Sequence, residues 1–129
     1  MGIEASRNRR FERIDLSARV QLTSLDPERD PQTGVPTLWE SDELCETISI
    51  GGVFIRTLDP PAKGRRLLLQ IHLPGGESIE MVGRVAWTRV PLPSAHEAGV
   101  GVEFVAPSSL AHGALERLVQ GARRAPNRD

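Results

Sequence analysis

The chain reads LCETISIGGVFI from residue 44 to residue 55, and this stretch has the clearest strand pattern of the sequence. Two sets of residues alternate before the glycine pair: Leu44, Glu46, Ile48 and Ile50 on one parity, and Cys45, Thr47 and Ser49 on the other. A period of two residues is typical of a β-strand, and the apolar run after the glycines continues as a second strand. Gly51 and Gly52 interrupt the pattern. Paired glycines allow a bulge, and they let another backbone or a ligand come close.

The same period recurs on both sides of this stretch, between clusters of glycine, proline and aspartate. It predicts strands over residues 18–23, 38–48, 53–55, 67–73, 79–90 and 98–105. The proline-rich stretch from Asp26 to Pro36 is predicted to be a solvated loop. Short strands in one small domain favour closure of the sheet, because closure removes exposed strand edges. The sequence therefore predicts an all-β fold, a six-stranded antiparallel β-barrel.

The C-terminal part of the chain has a helical period instead. Ser108 or Ser109 is predicted to cap a helix that covers the sheet, and Gly121 is predicted to end it. The apolar stripe of this helix comprises Leu110, Ala111, Ala114, Leu115, Leu118 and Val119. The expected organisation is a flexible arginine-bearing segment over residues 1–15, the barrel with its helix over residues 16–122, and a disordered tail over residues 123–129.

The charge balance limits the classes of partner. The chain has 16 basic and 17 acidic side chains and a net charge of -1, so no overall field attracts nucleic acid or an anionic membrane. No apolar run approaches the roughly 18 residues of a membrane-spanning helix, and the N-terminus lacks the pattern of a signal peptide. The single cysteine, Cys45, cannot form an internal disulfide. These features predict a reduced, cytoplasmic protein without direct membrane insertion.

The side chains that carry most enzyme chemistry are scattered along the chain. His72, His96 and His112 fall on a predicted strand, a loop and a helix, without the spacing of a metal site. Cys45 has no basic neighbour that would activate its thiol. The glycine pairs lack the lysine or the following helix of a phosphate-binding loop. We therefore expect no catalytic residue, no metal and no cofactor, and we predict that the protein is not an enzyme.

Arginine is concentrated at the N-terminus. Arg7, Arg9, Arg10, Arg13 and Arg19 lie within the first 19 residues. Guanidinium pairs bidentately with phosphate and with the edge of guanine, so the cluster points to a local anion-binding site. The alternative is a solvated basic tail, which is the usual meaning of a charge run.

Several short motifs, taken in order along the chain, resemble those of the PilZ domain, a family of bacterial cyclic di-GMP receptors. The run from Arg9 to Arg13 is similar to the family's RxxxR element, and the run from Thr47 to Gly52 lies where its second motif, [D/N]xSxxG, belongs. Gly64 and the runs 83–87 and 99–104 resemble later landmarks of the family. The resemblance implies a six-stranded barrel with a C-terminal helix, in which the arginine-bearing segment folds over one barrel face onto bound cyclic di-GMP.

The resemblance also implies a set of ligand-binding residues: Arg9, Arg10, Arg13, Thr47, Ser49, Gly51 and Gly52. Arg9 and Arg13 would contact the guanine edge and the phosphate, and Arg10 would stack or make a second phosphate contact. Ser49 would hydrogen-bond to the base or the phosphate. Gly52 would keep the backbone clear of the ligand.

Thr47 departs from the family pattern. The family usually has Asp or Asn at this place, and a carboxylate there would accept hydrogen bonds from N1 and N2 of guanine. Threonine offers one hydroxyl and no charge, and the loss of a bidentate base contact costs about 1–3 kcal/mol. Alternation places Glu46 on the opposite side of the strand unless a bulge shifts the register. Trp39 and Trp87 are interpreted as packing residues, and the alternative is that an indole stacks on a purine.

Three functions remain open on these grounds. The first is a receptor in which cyclic di-GMP orders residues 7–19 and creates a surface for an unidentified effector protein. The second is a PilZ-like adaptor that has lost nucleotide binding and acts in motility or type IV pilus control. The third is a small nucleic-acid-binding barrel, which the near-zero net charge argues against. We predict the first, without a nucleic-acid partner, as a monomer or homodimer.

Overall fold

The computed structural model describes residues 13–89 and 98–124 of the 129-residue chain. Its elements are β1 (Ile14–Ser24), β2 (Glu28–Arg29), β3 (Pro36–Thr37), β4 (Glu40–Ile48), β5 (Gly52–Arg56), β6 (Arg66–His72), β7 (Ser78–Arg89), β8 (Gly99–Phe104) and α1 (Ser109–Arg124). Within these two ranges, no helix is long and apolar enough to cross a membrane.

Six of the strands close into a barrel. Their order around it is β1-β4-β5-β8-β7-β6, and β6 pairs with β1 to complete the ring. Every neighbouring pair is antiparallel. The predicted six-stranded antiparallel barrel is confirmed, because each predicted strand corresponds to one strand of the ring.

The barrel interior is filled by the apolar parity of each strand. Its most deeply buried side chains are Val20, Leu22, Ile48, Ile55, Leu67, Leu69, Ile71, Val85 and Val100. In β8, for example, Val100 and Val102 belong to the core, whereas Gly101 between them belongs to the outer face, where it too is buried. No buried side-chain nitrogen or oxygen lacks a hydrogen-bond partner in the part of the chain that the structure describes.

Helix α1 packs its apolar stripe against the barrel core. Its N-terminus is capped by Ser108, whose Oγ accepts a hydrogen bond from the Ala111 N–H at 3.1 Å. Leu115 is fully buried, and the stripe also buries Ala111, Ala114 and Val119. Leu110 is 85% exposed, so its predicted place in the packed stripe is wrong.

The C-terminal boundary of the helix differs from the prediction. Gly121 was predicted to end the helix, but α1 continues through it to Arg124, which includes two residues assigned to the tail. A glycine within a helix costs only about 1 kcal/mol relative to alanine. That cost does not end a helix whose preceding turns, with Leu115 and Val119, are anchored in the core.

The N-terminal strand begins earlier than its alternation indicates. Strand β1 starts at Ile14, and Ile14 and Asp15 pair with Ile48 and Thr47 of β4. The last residues of the segment expected to be flexible over 1–15 therefore belong to the sheet. Residues 1–12 lie outside the described residues.

The predicted loop from Asp26 to Pro36 contains a short hairpin, because β2 pairs with β3. Its turn is ordered by Asp30, whose carboxylate accepts hydrogen bonds from the backbone of Gln32 at 2.7 Å and Thr33 at 3.3 Å. Gly34 adopts a φ of 74°, which favours glycine. Local side-chain to backbone bonds thus order a stretch whose composition predicts only a solvated loop.

The end of β1 is tied to the start of β6 by Asp26. The Asp26 carboxylate accepts hydrogen bonds from Arg66 through its backbone N–H at 3.1 Å, its Nε at 3.2 Å and its Nη2 at 2.7 Å. Arg65 donates to the Asp26 carbonyl at 2.9 Å. The Arg66 hydrogen bonds hold the pKa of the Asp26 carboxyl below its ordinary value.

Candidate functional site

A shallow depression lies on the outer face of the barrel, where β4 turns into β5 and where β8 and β7 follow. Its volume is about 260 Å³. Five of the predicted ligand residues line it: Arg13, Thr47, Ser49, Gly51 and Gly52. The other two, Arg9 and Arg10, lie outside the described residues. The end of the N-terminal arginine run and the second motif therefore meet on one surface.

The turn between β4 and β5 is held by Ser49. The backbone N–H groups of Gly51 and Gly52 donate to Ser49 Oγ at 3.1 and 3.2 Å, and the Ser49 N–H donates to the Gly52 carbonyl at 2.8 Å. The Ser49 side chain is buried. It shapes the turn that forms one wall of the depression, and its contact with a ligand stays a prediction.

Gly52 allows two strands of the site to approach each other. It pairs with Glu103 across the ladder between β5 and β8. A Cβ at position 52 would collide with the Val102 carbonyl oxygen and crowd the Cα of Glu103. The close approach predicted for the glycine pair is confirmed here, and the group that approaches is a backbone.

A bulge in β4 decides which side Thr47 faces. In the ladder with β5, Cys45 pairs with Ile55 and Thr47 pairs with Phe54. Glu46 is therefore the extra residue of the bulge. A bulged residue inverts the side-chain alternation of everything that follows it in the strand.

The inversion overturns one prediction for β4, the shared face of Leu44 and Ile48, and leaves Thr47 on the side predicted for the site. Leu44 was predicted to share a face with Ile48, but Leu44 is 50% exposed and Ile48 is buried. Thr47 lines the depression, whereas Glu46 does not. Glu46 instead forms an ion pair with Arg56, at 3.2 Å between Oε2 and Nη1. Glu46 is therefore held away from the site by a partner of its own.

An aromatic pair lines the depression beside Thr47, which pairs with Phe54 in the ladder between β4 and β5. The rings of Phe54 and Trp87 stack with centroids 5.3 Å apart and planes 14° apart. The Arg89 guanidinium lies over both, 5.5 Å from the Phe54 ring and 5.3 Å from the Trp87 ring. Trp87 is 43% exposed, so the interpretation of Trp87 as a packing residue is incomplete. A bulge between Val85 and Trp87 accompanies its outward orientation.

Two glycines of β8 make room for these rings. A Cβ at Gly99 would collide with the Phe54 ring, and a Cβ at Gly101 would collide with the Trp87 indole. The alternation of glycine and valine in Gly99-Val100-Gly101-Val102 was therefore a signal for an aromatic surface outside the barrel. In the sequence this run resembles a family landmark, and the aromatic surface becomes visible only in the structure.

Glu103 lines the depression as well, although it was not among the predicted ligand residues. It continues the outward parity of Gly99 and Gly101 and lines the depression. Its Oε1 lies 3.9 Å from Arg84 Nη1, and both side chains are about half exposed. Its parity in β8 was the signal that could have identified it.

Cys45 and the histidines lie away from this arrangement. Cys45 is buried, its Sγ donates to the Leu16 carbonyl at 3.2 Å, and burial raises the pKa of its thiol. The prediction of an inert packed thiol agrees with that environment. His112 lies 3.8 Å from Glu116, and His96 lies outside the described residues. Over residues 13–89 and 98–124, no group of three or more potential metal ligands converges.

One family model matches most of this chain. The family model described as the PilZ domain matches residues 7–121. No curated protein matches the sequence of this chain significantly.

Solved structures share the fold at low sequence identity. The Bacillus subtilis inhibitor of motility (MotI/DgrA) has a TM-score of 0.69 and 20% identity, over 92% of this chain and 52% of that chain. This chain thus spans about half the length of the B. subtilis protein. The PilZ domain of Escherichia coli YcgR, solved with c-di-GMP, has a TM-score of 0.62 and 13% identity, over 90% and 92% of the two chains. The PilZ domain of CeSA from a cellulose-synthesizing bacterium has a TM-score of 0.58 and 16% identity, over 87% and 98%.

Proposed function

Because this chain belongs to the PilZ domain family, we propose that it is a cytoplasmic receptor for cyclic di-GMP that transmits a second-messenger signal to an effector protein. The observation that carries the proposal is the depression lined by Arg13, Thr47 and the Ser49–Gly52 turn. Support comes from the PilZ domain of YcgR, which was solved with c-di-GMP. The proposed activity is binding, with no chemical step.

The chemistry of the site suits such a ligand. Cyclic di-GMP has two phosphodiester charges and two guanines, and guanidinium pairs bidentately with phosphate and with the O6/N7 edge of guanine. Arg13 is proposed to make these contacts together with Arg9, and Arg10 is proposed to stack or to bind a phosphate. Trp87 lines the depression and is 43% exposed, and aromatic side chains are the groups on which bases stack.

The expected ordering of residues 7–19 by the ligand needs a correction. Residues 14–19 belong to β1, where they pair with β4. A ligand-dependent change that recruits an effector is therefore proposed only for the residues before Ile14.

Calorimetric titration with cyclic di-GMP tests the proposal. We expect the wild type to bind, and Arg13→Ala to weaken binding about ten- to a hundredfold, because hydrogen bonds to a charged group are lost. Arg9→Ala combined with Arg13→Ala should abolish binding. The matched control is Arg19→Ala, since Arg19 is exposed, lies 4.0 Å from Asp42 and does not line the depression.

Two outcomes would contradict the proposal. The first is the absence of heat from the wild type at roughly 100 µM ligand, far above the micromolar range of a working signal receptor. The second is an Arg13→Ala variant that binds as tightly as the wild type.

The second candidate is an adaptor that has lost nucleotide binding, and Thr47 is the observation that favours it. A threonine at this place lacks the acceptors that would bind N1 and N2 of guanine. The B. subtilis protein that shares this fold is an inhibitor of motility, and we propose motility control as the pathway of such an adaptor. The titration separates the candidates, because the adaptor gives no heat with cyclic di-GMP.

A further inference from the structure

Among the residues that the structure describes, Glu103 contributes the one carboxylate that lines the depression. We propose that Glu103 accepts hydrogen bonds from N1 and N2 of a bound guanine, in place of the acid that position 47 lacks. This inference rests on the proposed function. It names the residue that determines the specificity for guanine.

The ligand creates the need for such a group. Guanine presents acceptors at O6 and N7 and donors at N1 and N2. Arginine carries only donors, so Arg13 can satisfy the first edge and not the second. Thr47 offers a single hydroxyl. A buried donor edge without an acceptor costs binding energy, and a site that selects guanine needs an acceptor there.

The position of Glu103 suits this role. Glu103 lies on β8 and shares the outward parity of Gly101, against which the Trp87 indole packs. It also pairs with Gly52, at the end of the Ser49 turn. Its side chain is 57% exposed, so it can turn toward a ligand. The contact with Arg84 is long, at 3.9 Å between exposed groups, and such pairs contribute little to stability.

Two other carboxylates lie near Thr47, and the structure argues against both. Glu46 is the bulged residue and pairs with Arg56 at 3.2 Å. Asp15 pairs with Thr47 across the ladder between β1 and β4, but it does not line the depression. Glu103 is therefore the carboxylate that shares a surface with both Arg13 and Trp87.

The experiment compares two ligands that differ by one exocyclic amine on each base. Cyclic di-GMP carries the exocyclic N2 amine, and cyclic di-IMP lacks it. We expect the wild type to prefer cyclic di-GMP by about tenfold, and Glu103→Ala to lose most of this preference. The ratio of the two affinities is the readout, because removing a negative charge beside a dianionic ligand shifts both affinities in the same direction.

Two matched variants serve as controls. Glu80→Ala removes an exposed glutamate of β7 that does not line the depression, and Asp15→Ala removes the carboxylate opposite Thr47. Both should keep the wild-type ratio. Thr47→Asp, introduced into the Glu103→Ala variant, should restore the preference, because it returns an acid to the place where the family usually has one.

The outcomes separate this inference from the proposed function. Failure of the wild type to bind either ligand overturns both. Binding with an unchanged ratio in Glu103→Ala overturns the inference alone, as does loss of the ratio in Asp15→Ala with Glu103→Ala unaffected. Positions 15, 80 and 103 are exposed, so we expect these substitutions to leave the barrel intact. Thermal unfolding of each variant checks this.

Discussion

The Trp87 indole occupies the space that a side chain at position 101 would need, and glycine leaves this space open. The indole stacks on Phe54, whose ring occupies the corresponding space above Gly99. Aromatic pairs in offset stacks contribute about 0.5–1.5 kcal/mol beyond their buried area. At the scale of single residues, the outer wall of the depression thus depends on two missing Cβ atoms.

Gly101→Ala should displace the indole and destabilise the protein. The expected cost is about 1–3 kcal/mol, because the new methyl group meets a rigid ring. Urea denaturation measures the change in unfolding free energy, and near-ultraviolet circular dichroism reports the movement of Trp87.

Gly75→Ala is the matched control for this substitution. A Cβ at Gly75 meets nothing within 4 Å. The unfolding free energy of Gly75→Ala should therefore stay within about 0.5 kcal/mol of the wild type. Equal stability of both variants would show that the indole does not need the space above Gly101.

Asp26 connects elements that are far apart in the sequence. It follows β1, and its carboxylate accepts the hydrogen bonds of Arg66 at the start of β6. The pKa of the carboxyl is lower in the folded state than in the unfolded state, mainly because of the side-chain hydrogen bond with Arg66. The stabilisation is therefore present above the unfolded pKa, near pH 4, and is lost as the pH falls through the folded pKa.

Asp26→Asn should lower the urea midpoint at pH 7. The difference in urea midpoint between the variant and the wild type should become smaller toward pH 3. The reason is that protonation removes from the wild type the same charge that the substitution removes. Asp42→Asn is the control, because the exposed pair of Asp42 with Arg19 is 4.0 Å long. A difference in urea midpoint between Asp26→Asn and the wild type that does not change with pH would contradict this account.

Strand positions could be predicted from the sequence because alternation is a local property, and so could most of the helical stripe. The bulge at Glu46 could not, because it appears only when β4 is aligned with β5. The outward orientation of Trp87 likewise depends on the ladder of β7 with β8. The family motifs located Thr47 and Ser49, whereas Glu103 and Trp87 required the pairing of distant strands.

The whole barrel is expected to unfold as one unit. Each barrel strand has two neighbours, so no strand can leave without breaking two ladders. The two tryptophans report on different regions, because Trp39 packs against the core and Trp87 lies on the outer face. Small single domains usually unfold in one cooperative transition.

Single-tryptophan variants test this cooperativity. In Trp39→Phe and in Trp87→Phe, the fluorescence transition in urea should coincide with the transition seen by far-ultraviolet circular dichroism. A Trp87 signal that changes well before the circular dichroism would show that the depression opens separately from the barrel.

Closure of the ring also restricts how another protein can recognise this chain. Many peptide ligands bind by β-augmentation, in which they add a strand to an open sheet. The barrel strands offer no place for such an addition, since their hydrogen-bonding groups face neighbours on both sides. In the part of the chain that the structure describes, β2 and β3 form the one sheet that is not closed, and each has two residues. Within the described residues, the barrel wall therefore presents side chains, and not unpaired strand edges, to another protein.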